Sequence, residues 1–177
     1  TIAIQSNAYK TRLKNEYEEL QKLPRNDLFK VEPAPGETPP YVSRYYVTYT
    51  VPTWVKRGGR MVKQTRTVVE IEKMSLSDAP HAKVVEGDIP YHTNCYTNGT
   101  VCNGTAWATP AMWLYEYMGF VCELLQFKEA RINPNSAANH EARDYWVVHK
   151  NDRSMFPTDM RSIPVPVEKK KLQIVSV

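Results

Sequence analysis

Two adjacent glycines, Gly58-Gly59, separate two runs of residues whose polarity alternates, and no other feature of the sequence constrains the fold as strongly. An alternation with a period of two predicts a strand with one buried face, and a glycine pair between two such runs favours a tight turn. The runs therefore predict an antiparallel hairpin built from residues 41–51 and 62–73. The residues that share a face are Tyr45, Val47, Tyr49 and Val51 in the first run, and Thr67, Val69 and Ile71 in the second.

A helix and two further strands are predicted beside this hairpin. Residues 6–23 predict an amphipathic helix, because their apolar side chains recur three or four residues apart, and Pro24 ends it. Short apolar runs at 28–31 and 82–85 predict two strands, which complete a four-stranded antiparallel meander with the hairpin. The apolar positions of the helix are Leu13, Tyr17, Leu20 and Leu23.

Two more helices are predicted in the second half of the chain. Thr109 suits the N-cap position and Pro110 the first helical position, so we expect one helix from there to Phe127. Ser136 is the expected N-cap of the other, which runs to His149. The order of a helix, a meander, a long loop and two helices predicts the α+β class.

The pattern divides the chain into one domain, residues 1–163, and an extended basic tail, residues 164–177. Pro164 and Pro166 exclude a continuous helix in the tail. The tail also carries the run Lys169-Lys170-Lys171, which we interpret as a solvated face. Docking of this run to a partner is the alternative.

Composition excludes several classes of protein. The chain has 177 residues, of which 42% are hydrophobic and 24% charged, so it is neither disordered nor a disulfide scaffold. A net charge of +4 is too small to indicate nucleic-acid binding, and no apolar run of about 18 residues predicts a membrane span. Three cysteines are an odd number, which favours reduced thiols and a cytoplasmic location.

Residues 86–107 form a stretch with little periodicity that is rich in Asn, Thr, Gly and Tyr. A loop of this length inside a compact domain is usually functional. Its central part runs from Tyr91 to Cys102 and reads Tyr-His-Thr-Asn-Cys-Tyr-Thr-Asn-Gly-Thr-Val-Cys. The loop is therefore the predicted location of the chemistry.

This segment resembles the active-site loop of the ubiquitin-conjugating enzymes. That family has a His-Pro-Asn tripeptide, an Asn/Asp-Gly turn, an aliphatic residue and a catalytic Cys eight residues after the tripeptide's Asn. Here His92-Thr93-Asn94 corresponds to the tripeptide and Asn98-Gly99 to the turn. Val101 corresponds to the aliphatic residue, and Cys102 follows Asn94 by eight positions.

Other segments extend the resemblance over about residues 8–150. Trp107 and residues 109–111 resemble the family's Trp-Ser-Pro-Ala segment, and Asn133-Pro134 resembles its Asn-Pro element. Thr93 replaces the family's Pro, and Asn135-Ser136 stands where the family has an acidic residue beside the cysteine. The chain is therefore similar to divergent members of the family, such as those of bacterial ubiquitin-like conjugation operons.

The resemblance implies a ubiquitin-conjugating fold, with residues 1–163 as the catalytic domain. It implies an acyltransferase that accepts a ubiquitin-like modifier from an activating enzyme as a thioester on Cys102. The modifier then passes to an amine, which gives an isopeptide bond. The implied partners are the activating enzyme, the ubiquitin-like protein, an amine-bearing target protein and, optionally, a ligase. No cofactor, metal, nucleic acid or membrane is expected.

The resemblance also assigns roles to individual residues. Cys102 is the nucleophile and thioester carrier, and Asn94 supplies an amide that stabilises the oxyanion or orders the loop. The residues expected to support the loop are His92, Asn98, Gly99 and Trp107. Those expected to contact a ligase are Thr109, Pro110 and Ala111.

Other readings of the same residues remain open. A non-catalytic module of the same fold would bind a ubiquitin-like protein without needing the Asn94-to-Cys102 spacing. A metal site formed by His92, Cys95 and Cys102 would match no zinc template. A cysteine hydrolase would pair Cys102 with His92 or His140, and nothing in the sequence orients such a pair. Cys122 lies on an apolar helical stripe and is predicted to be a core residue.

Overall fold

The computed structural model describes residues 6–103 and 107–167. These residues form three α-helices, six strands and one 3-10 turn, so the predicted α+β class is confirmed. The predictions for Lys169-Lys170-Lys171 and for most of the tail lie outside the described residues. The elements, in chain order, are α1 (Asn7–Leu20), β1 (Phe29–Pro33), β2 (Arg44–Tyr49), β3 (Thr53–Arg57), β4 (Arg60–Gln64), β5 (Thr67–Glu72), β6 (His81–Glu86), α2 (Leu114–Leu125), the turn Glu129–Arg131, and α3 (His140–His149).

A four-stranded antiparallel sheet in the order β1-β2-β5-β6 forms the centre of the fold. Tyr45, Val47 and Tyr49 alternate with more exposed residues along β2, as the period of two predicts, and their buried side chains belong to the main core. The same core contains Leu20 of α1 and Met118 of α2, so both helices pack on this face of the sheet. Cys122 is also buried there, which confirms its predicted core position.

The predicted glycine hairpin exists, but it divides into two ladders instead of one. Tyr49 pairs with Thr67 at the end of the β2–β5 ladder, and Thr53 pairs with Gln64 at the start of the β3–β4 ladder. Three residues lie between the ladders on the first strand and two on the second, so the register shifts by one residue there. The prediction of one return strand over 62–73 is therefore wrong, and so is the prediction that the first arm ends at residue 51, because β3 (Thr53–Arg57) enters the turn. Gly58-Gly59 has positive φ angles at both residues, which confirms the turn.

The second helix begins later than predicted. We expected Thr109 as the N-cap and Pro110 as the first helical residue, but α2 begins at Leu114 and its N-cap residue makes no capping bond through its side chain. Instead, the Leu114 N–H donates to Oε2 of Glu16 at 2.8 Å. A carboxylate from α1 therefore caps α2, which a search for local capping residues does not reveal.

The third helix also begins later than predicted. Its N-cap is Asn139, whose Oδ1 accepts from the Ala142 N–H at 2.9 Å, and not Ser136. The N–H groups of Ala138 and Asn139 both donate to the Thr93 carbonyl. The long loop therefore fixes the approach to α3, and the chain turns into a helix only after those two bonds.

The remaining boundaries differ from the predictions by a few residues. α1 ends at Leu20 instead of residue 23, and the strands predicted at 28–31 and 82–85 extend over Phe29–Pro33 and His81–Glu86. Residues 161–167 form no helix or strand, as the prolines predict. Ile163 nevertheless packs against the main core beside Gly119. Within the described ranges, no helix has the length and apolar character needed to cross a membrane.

Candidate active site

Residues 94–102 form a tight antiparallel hairpin that explains the eight-residue spacing. Cys95 is bridged to Val101, and the Cys102 N–H donates to the Asn94 carbonyl at 2.7 Å. The Tyr96 N–H donates to the Thr100 carbonyl at 2.9 Å. Asn94 and Cys102 therefore stand directly opposite each other across two paired segments. Their side chains share a face because cross-strand partners project to the same side.

The hairpin turn depends on the Asn98-Gly99 pair. The Gly99 N–H donates to the Tyr96 carbonyl at 3.0 Å, and Gly99 has a φ of +95°, which residues with a side chain rarely adopt. Oδ1 of Asn98 accepts from the Thr100 N–H at 2.9 Å. These bonds close a three-residue loop, so the turn chemistry fixes the register that brings Asn94 opposite Cys102.

The second arm of this hairpin also pairs with the edge of the main sheet. The Val84 N–H donates to the Gly99 carbonyl, and the Val101 N–H donates to the Ala82 carbonyl, both at 2.9 Å. Residues 99–101 thus continue the sheet beyond β6. Cys102 immediately follows residues 99–101, which pair with β6 on one side and with residues 95–96 on the other.

The three cysteines differ in access to solvent. Cys95 and Cys122 are both 0% exposed, whereas Cys102 is partly exposed. Burial raises the pKa of Cys95 and of Cys122 to about 12, so both remain thiols at neutral pH. Because the thiolate is the nucleophile, Cys102 is the cysteine that an external electrophile can reach.

Tyr96 contacts Cys102 and was not singled out from the sequence. The two side chains interact electrostatically, and Tyr96 is 44% exposed. The charge interaction with Cys102 is the main cause that raises the pKa of Tyr96, so the Tyr96 hydroxyl stays protonated at neutral pH. The signal in the sequence was the two-residue spacing from Asn94, which places Tyr96 on the same hairpin face as Cys102.

Asn94 ties the hairpin to the loop that precedes α3. Its side chain is only 1% exposed, and its Oδ1 accepts from the Asn133 N–H at 3.1 Å. Its Nδ2 lies 3.5 Å from the Cys102 carbonyl, at the outer limit of a hydrogen bond. Together with the bonds from Ala138 and Asn139 to the Thr93 carbonyl, this contact fixes both sides of the site.

His92 lies beneath the hairpin and remains neutral. Its Nδ1 accepts from the Asn94 N–H at 2.9 Å, and its ring packs on Phe127 with centroids 4.7 Å apart. Burial lowers the pKa of His92 to about 3. Nε2 of His92 and Oγ1 of Thr93 are buried without a hydrogen-bond partner among the residues that the structure describes.

Trp107 lies under the far side of the site, against α2. Its indole stacks on Tyr117 with centroids 5.7 Å apart, and the Arg131 guanidinium lies 5.7 Å from its ring centroid. The Tyr117 hydroxyl donates to Oδ1 of Asn103 at 2.6 Å. The residue that follows Cys102 is therefore anchored to α2, and Trp107 packs on that anchor.

The residues expected to contact a ligase lie in an exposed turn before α2. Thr109, Pro110 and Ala111 are exposed, and the Pro110 carbonyl accepts from Nζ of the buried Lys73 at 2.8 Å. Asn135 and Ser136, which the resemblance aligns with the family's acidic residue, are also exposed.

Among the described residues, we find neither a Cys102–His pair nor a group of side chains that could hold a metal ion. His140 is exposed at the start of α3, and His92 directs its Nδ1 to the Asn94 N–H instead of to a thiol. The described residues contain no group of three or more His, Cys, Asp or Glu side chains that could hold a metal ion. The arrangement is suited to attack by an accessible thiolate beside a hydroxyl donor.

No known family model matches this chain, and no curated protein matches it either. The chemistry of the site is therefore inferred from its own residues. These are a partly exposed thiol on a hairpin fixed by hydrogen bonds, a tyrosine that interacts electrostatically with that thiol and a buried amide directly opposite.

Proposed function

We propose that the chain is a ubiquitin-like-protein-conjugating enzyme that carries its modifier as a thioester on Cys102. One observation carries the proposal. Cys102, the partly exposed cysteine of the three, lies opposite Asn94 in a hairpin whose register is fixed by Gly99. The residues of the hairpin are those on which the resemblance to ubiquitin-conjugating enzymes rests. The α+β fold, with a helix before a four-stranded antiparallel sheet, is compatible with that family.

In the loading step, the Cys102 thiolate attacks the carbonyl carbon of the thioester that joins the modifier to its activating enzyme. A bond forms between Cys102 Sγ and this carbon, and the bond to the activating enzyme's sulfur breaks. The departing thiolate takes up a proton from solvent. One thioester replaces another, so the step needs access and little added stabilisation. The partial exposure of Cys102 supplies that access.

In the transfer step, an unprotonated amine of the target attacks the same carbonyl carbon. The tetrahedral anion collapses with cleavage of the bond to Cys102 Sγ, and the amine nitrogen loses its proton to solvent. The Tyr96 side chain interacts electrostatically with Cys102, and we propose that its hydroxyl donates to the departing sulfur. A hydrogen bond to a charged sulfur is stronger than a hydrogen bond to a neutral sulfur, so donation from Tyr96 would stabilise the leaving thiolate.

Asn94 serves this reaction by holding the hairpin. Its Oδ1 is occupied by the Asn133 N–H, and its side chain is almost completely buried. These contacts support the loop-ordering role over direct donation to the oxyanion. Direct donation would require Nδ2 to point at the reacting carbonyl from a position that substrate can reach.

The test is a loading assay read on a non-reducing gel. The chain is incubated with a ubiquitin-like protein, its activating enzyme and ATP. We expect an adduct that reductant removes. Cys102→Ser should give an oxyester that resists reductant, or no adduct, because an alcohol is a far poorer nucleophile at neutral pH. Cys95→Ala is the control and should load normally. An adduct that survives in Cys102→Ala and disappears in Cys95→Ala would contradict the proposal.

A further inference from the structure

A groove between the end of α1 and the edge strand β1 has a volume of about 620 Å³. Its apolar lining comes from Leu20, Leu23, Phe29 and Val31. Leu23 and Val31 are only partly buried, although both pack against the main core. The groove therefore leaves apolar surface uncovered beside the sheet, far along the chain from the catalytic hairpin.

The edge of β1 that is not paired with β2 lies beside this groove. The Thr50 N–H donates to the Leu28 carbonyl and the Ala34 N–H to the Arg44 carbonyl, so even-numbered residues in and beside β1 direct their backbone groups towards β2. By the antiparallel alternation, the N–H and C=O of Val31 point away from β2. In the described part of the chain β1 has one neighbouring strand, which leaves these groups available for pairing.

The C-terminal part of the chain arrives at the rim of this groove. The Val167 N–H donates to the Lys22 carbonyl at 3.1 Å, and Lys22 directly precedes the groove residue Leu23. Ten more residues follow, 168–177. Fully extended, they reach up to about 33 Å, whereas a five-residue strand such as β1 is about 17 Å long. The length is therefore sufficient to cover the whole edge.

The end of this segment has the composition of a strand. Residues 172–177 read Leu-Gln-Ile-Val-Ser-Val, and three of the six are β-branched aliphatic residues. Such residues favour a pleated, half-buried strand. The preceding residues, Lys169-Lys170-Lys171, suit a solvated crossing from the rim.

We propose that residues 172–177 bind this groove within the same chain, as a fifth strand on the free edge of β1. The added strand would pair with the N–H and C=O of Val31 and cover Leu23 with an aliphatic side chain. This inference does not depend on the proposed enzymatic function, because it concerns the opposite edge of the sheet from Cys102.

The test is residue-resolved amide exchange of the full chain by NMR. We expect the Val31 amide to exchange at least about tenfold more slowly in the unmodified chain than in the double variant Ile174→Asp/Val175→Asp. The Val47 amide of β2, which is paired within the sheet, should be unchanged. The control Lys170→Asp/Lys171→Asp adds more negative charge outside the proposed strand and should keep the protection.

Three outcomes would overturn the proposal. Equal Val31 exchange in the unmodified chain and the Ile174→Asp/Val175→Asp variant would show that the tail does not cover β1. Protection lost equally in the lysine control would assign the effect to charge. Protection that rises with protein concentration, together with a dimer in sedimentation, would place a second copy on the edge instead of the chain's own tail.

Discussion

Two polar clusters join distant parts of this chain, and they differ in whether their buried polar atoms form hydrogen bonds. The first, which we term the helix junction, consists of Arg12, Glu16 and Lys73 and links α1 to the start of α2. Glu16 accepts from Arg12 Nε and from the Leu114 N–H, both at 2.8 Å, and Lys73 Nζ donates to the Pro110 carbonyl. The second, which we term the site cluster, consists of His92, Thr93 and Asn94.

The difference follows from charge. A buried charge without a partner costs several kcal/mol, so the helix junction pairs both oxygens of a fully buried carboxylate. The site cluster is neutral, and each neutral buried atom without a partner costs only about 1–3 kcal/mol. Two such atoms, His92 Nε2 and Thr93 Oγ1, occur among the described residues of the site cluster. The junction therefore stabilises the fold, whereas the site cluster keeps two neutral atoms without a partner among the described residues, next to the hairpin that carries Cys102.

The largest expected effect is the loss of the helix junction. Glu16→Ala leaves the Arg12 guanidinium partly buried without its carboxylate and removes the cap of α2. We expect the free energy of unfolding to fall by about 3–5 kcal/mol, measured by chemical denaturation. Glu18→Ala, on the exposed side of the same helix, is the control and should change it by less than about 0.5 kcal/mol. A small effect of Glu16→Ala would remove the distinction between the two clusters.

The site cluster is expected to respond to acid through His92. The pKa of His92 is about 3 in the folded chain and near 6.5 in the unfolded chain, so between these values only the unfolded chain binds the proton. Its contribution to stability is therefore complete above pH 6.5 and declines as the pH falls towards 3. From pH 7 to pH 5 this amounts to about 2 kcal/mol.

The variant that isolates this effect is His92→Asn, because an amide oxygen can still accept from the Asn94 N–H. Its unfolding free energy should fall by about 2 kcal/mol less between pH 7 and pH 5 than that of the unmodified chain. Equal pH dependence in the two proteins would mean that His92 is not held neutral in the folded chain.

Asn94→Ala should weaken the site cluster and slow both half-reactions. It leaves the Asn133 N–H without its acceptor, which costs about 1–2 kcal/mol of stability. Because Asn94 holds the hairpin, loading of Cys102 and discharge to free lysine should slow by similar factors in single-turnover assays. Normal loading with discharge slowed about 10²–10³-fold would instead identify Asn94 as an oxyanion donor. If the rates of both steps were unchanged, Asn94 would be only a turn residue.

The smallest expected effect is the difference between two glycine variants, which separates turn strain from close contact. Gly99 and Gly36 both have positive φ, at +95° and +87°, but a Cβ on Gly99 would lie 3.1 Å from the Val84 carbonyl oxygen while one on Gly36 would meet nothing within 4 Å. Gly36→Ala should cost about 1 kcal/mol for backbone strain alone. Gly99→Ala should cost about 1 kcal/mol more and should also slow loading of Cys102. Equal losses of stability in the two variants would show that the backbone at Val84 moves to accommodate the added methyl group.

Some of these features could be predicted from the sequence and others could not. The difference is how far along the chain the interacting residue lies. Gly58-Gly59 and Asn98-Gly99 could be assigned as turns because their backbone requirements are local. Ser136 was wrong because the side-chain cap of α3 is Asn139, three residues later, and the Thr93 carbonyl binds the N–H groups that precede the helix. Thr109 was wrong because the acceptor for the Leu114 N–H is Glu16, which comes from elsewhere in the fold. Local capping rules carry no information about such partners.

The candidate site shows the same limit. The spacing between Asn94 and Cys102 was visible in the sequence, and a three-residue turn converts it into a cross-strand pair. The contact of Asn94 with Asn133 was not visible, because it depends on how the loop before α3 packs. The interaction of Tyr96 with Cys102 could have been anticipated from the alternation of faces within the hairpin.

The most direct test of the central claim uses a chain in which Cys102 is the only cysteine, made by Cys95→Ala and Cys122→Ala. Loading with a ubiquitin-like protein, its activating enzyme and ATP is followed by intact mass spectrometry with and without reductant. We predict one reductant-sensitive modifier per chain at a rate close to that of the unmodified protein. The same chain with Cys102→Ala in addition should remain unmodified. Failure of the Cys102-only chain to load, while the unmodified chain loads, would contradict the assignment of Cys102 as the acyl carrier.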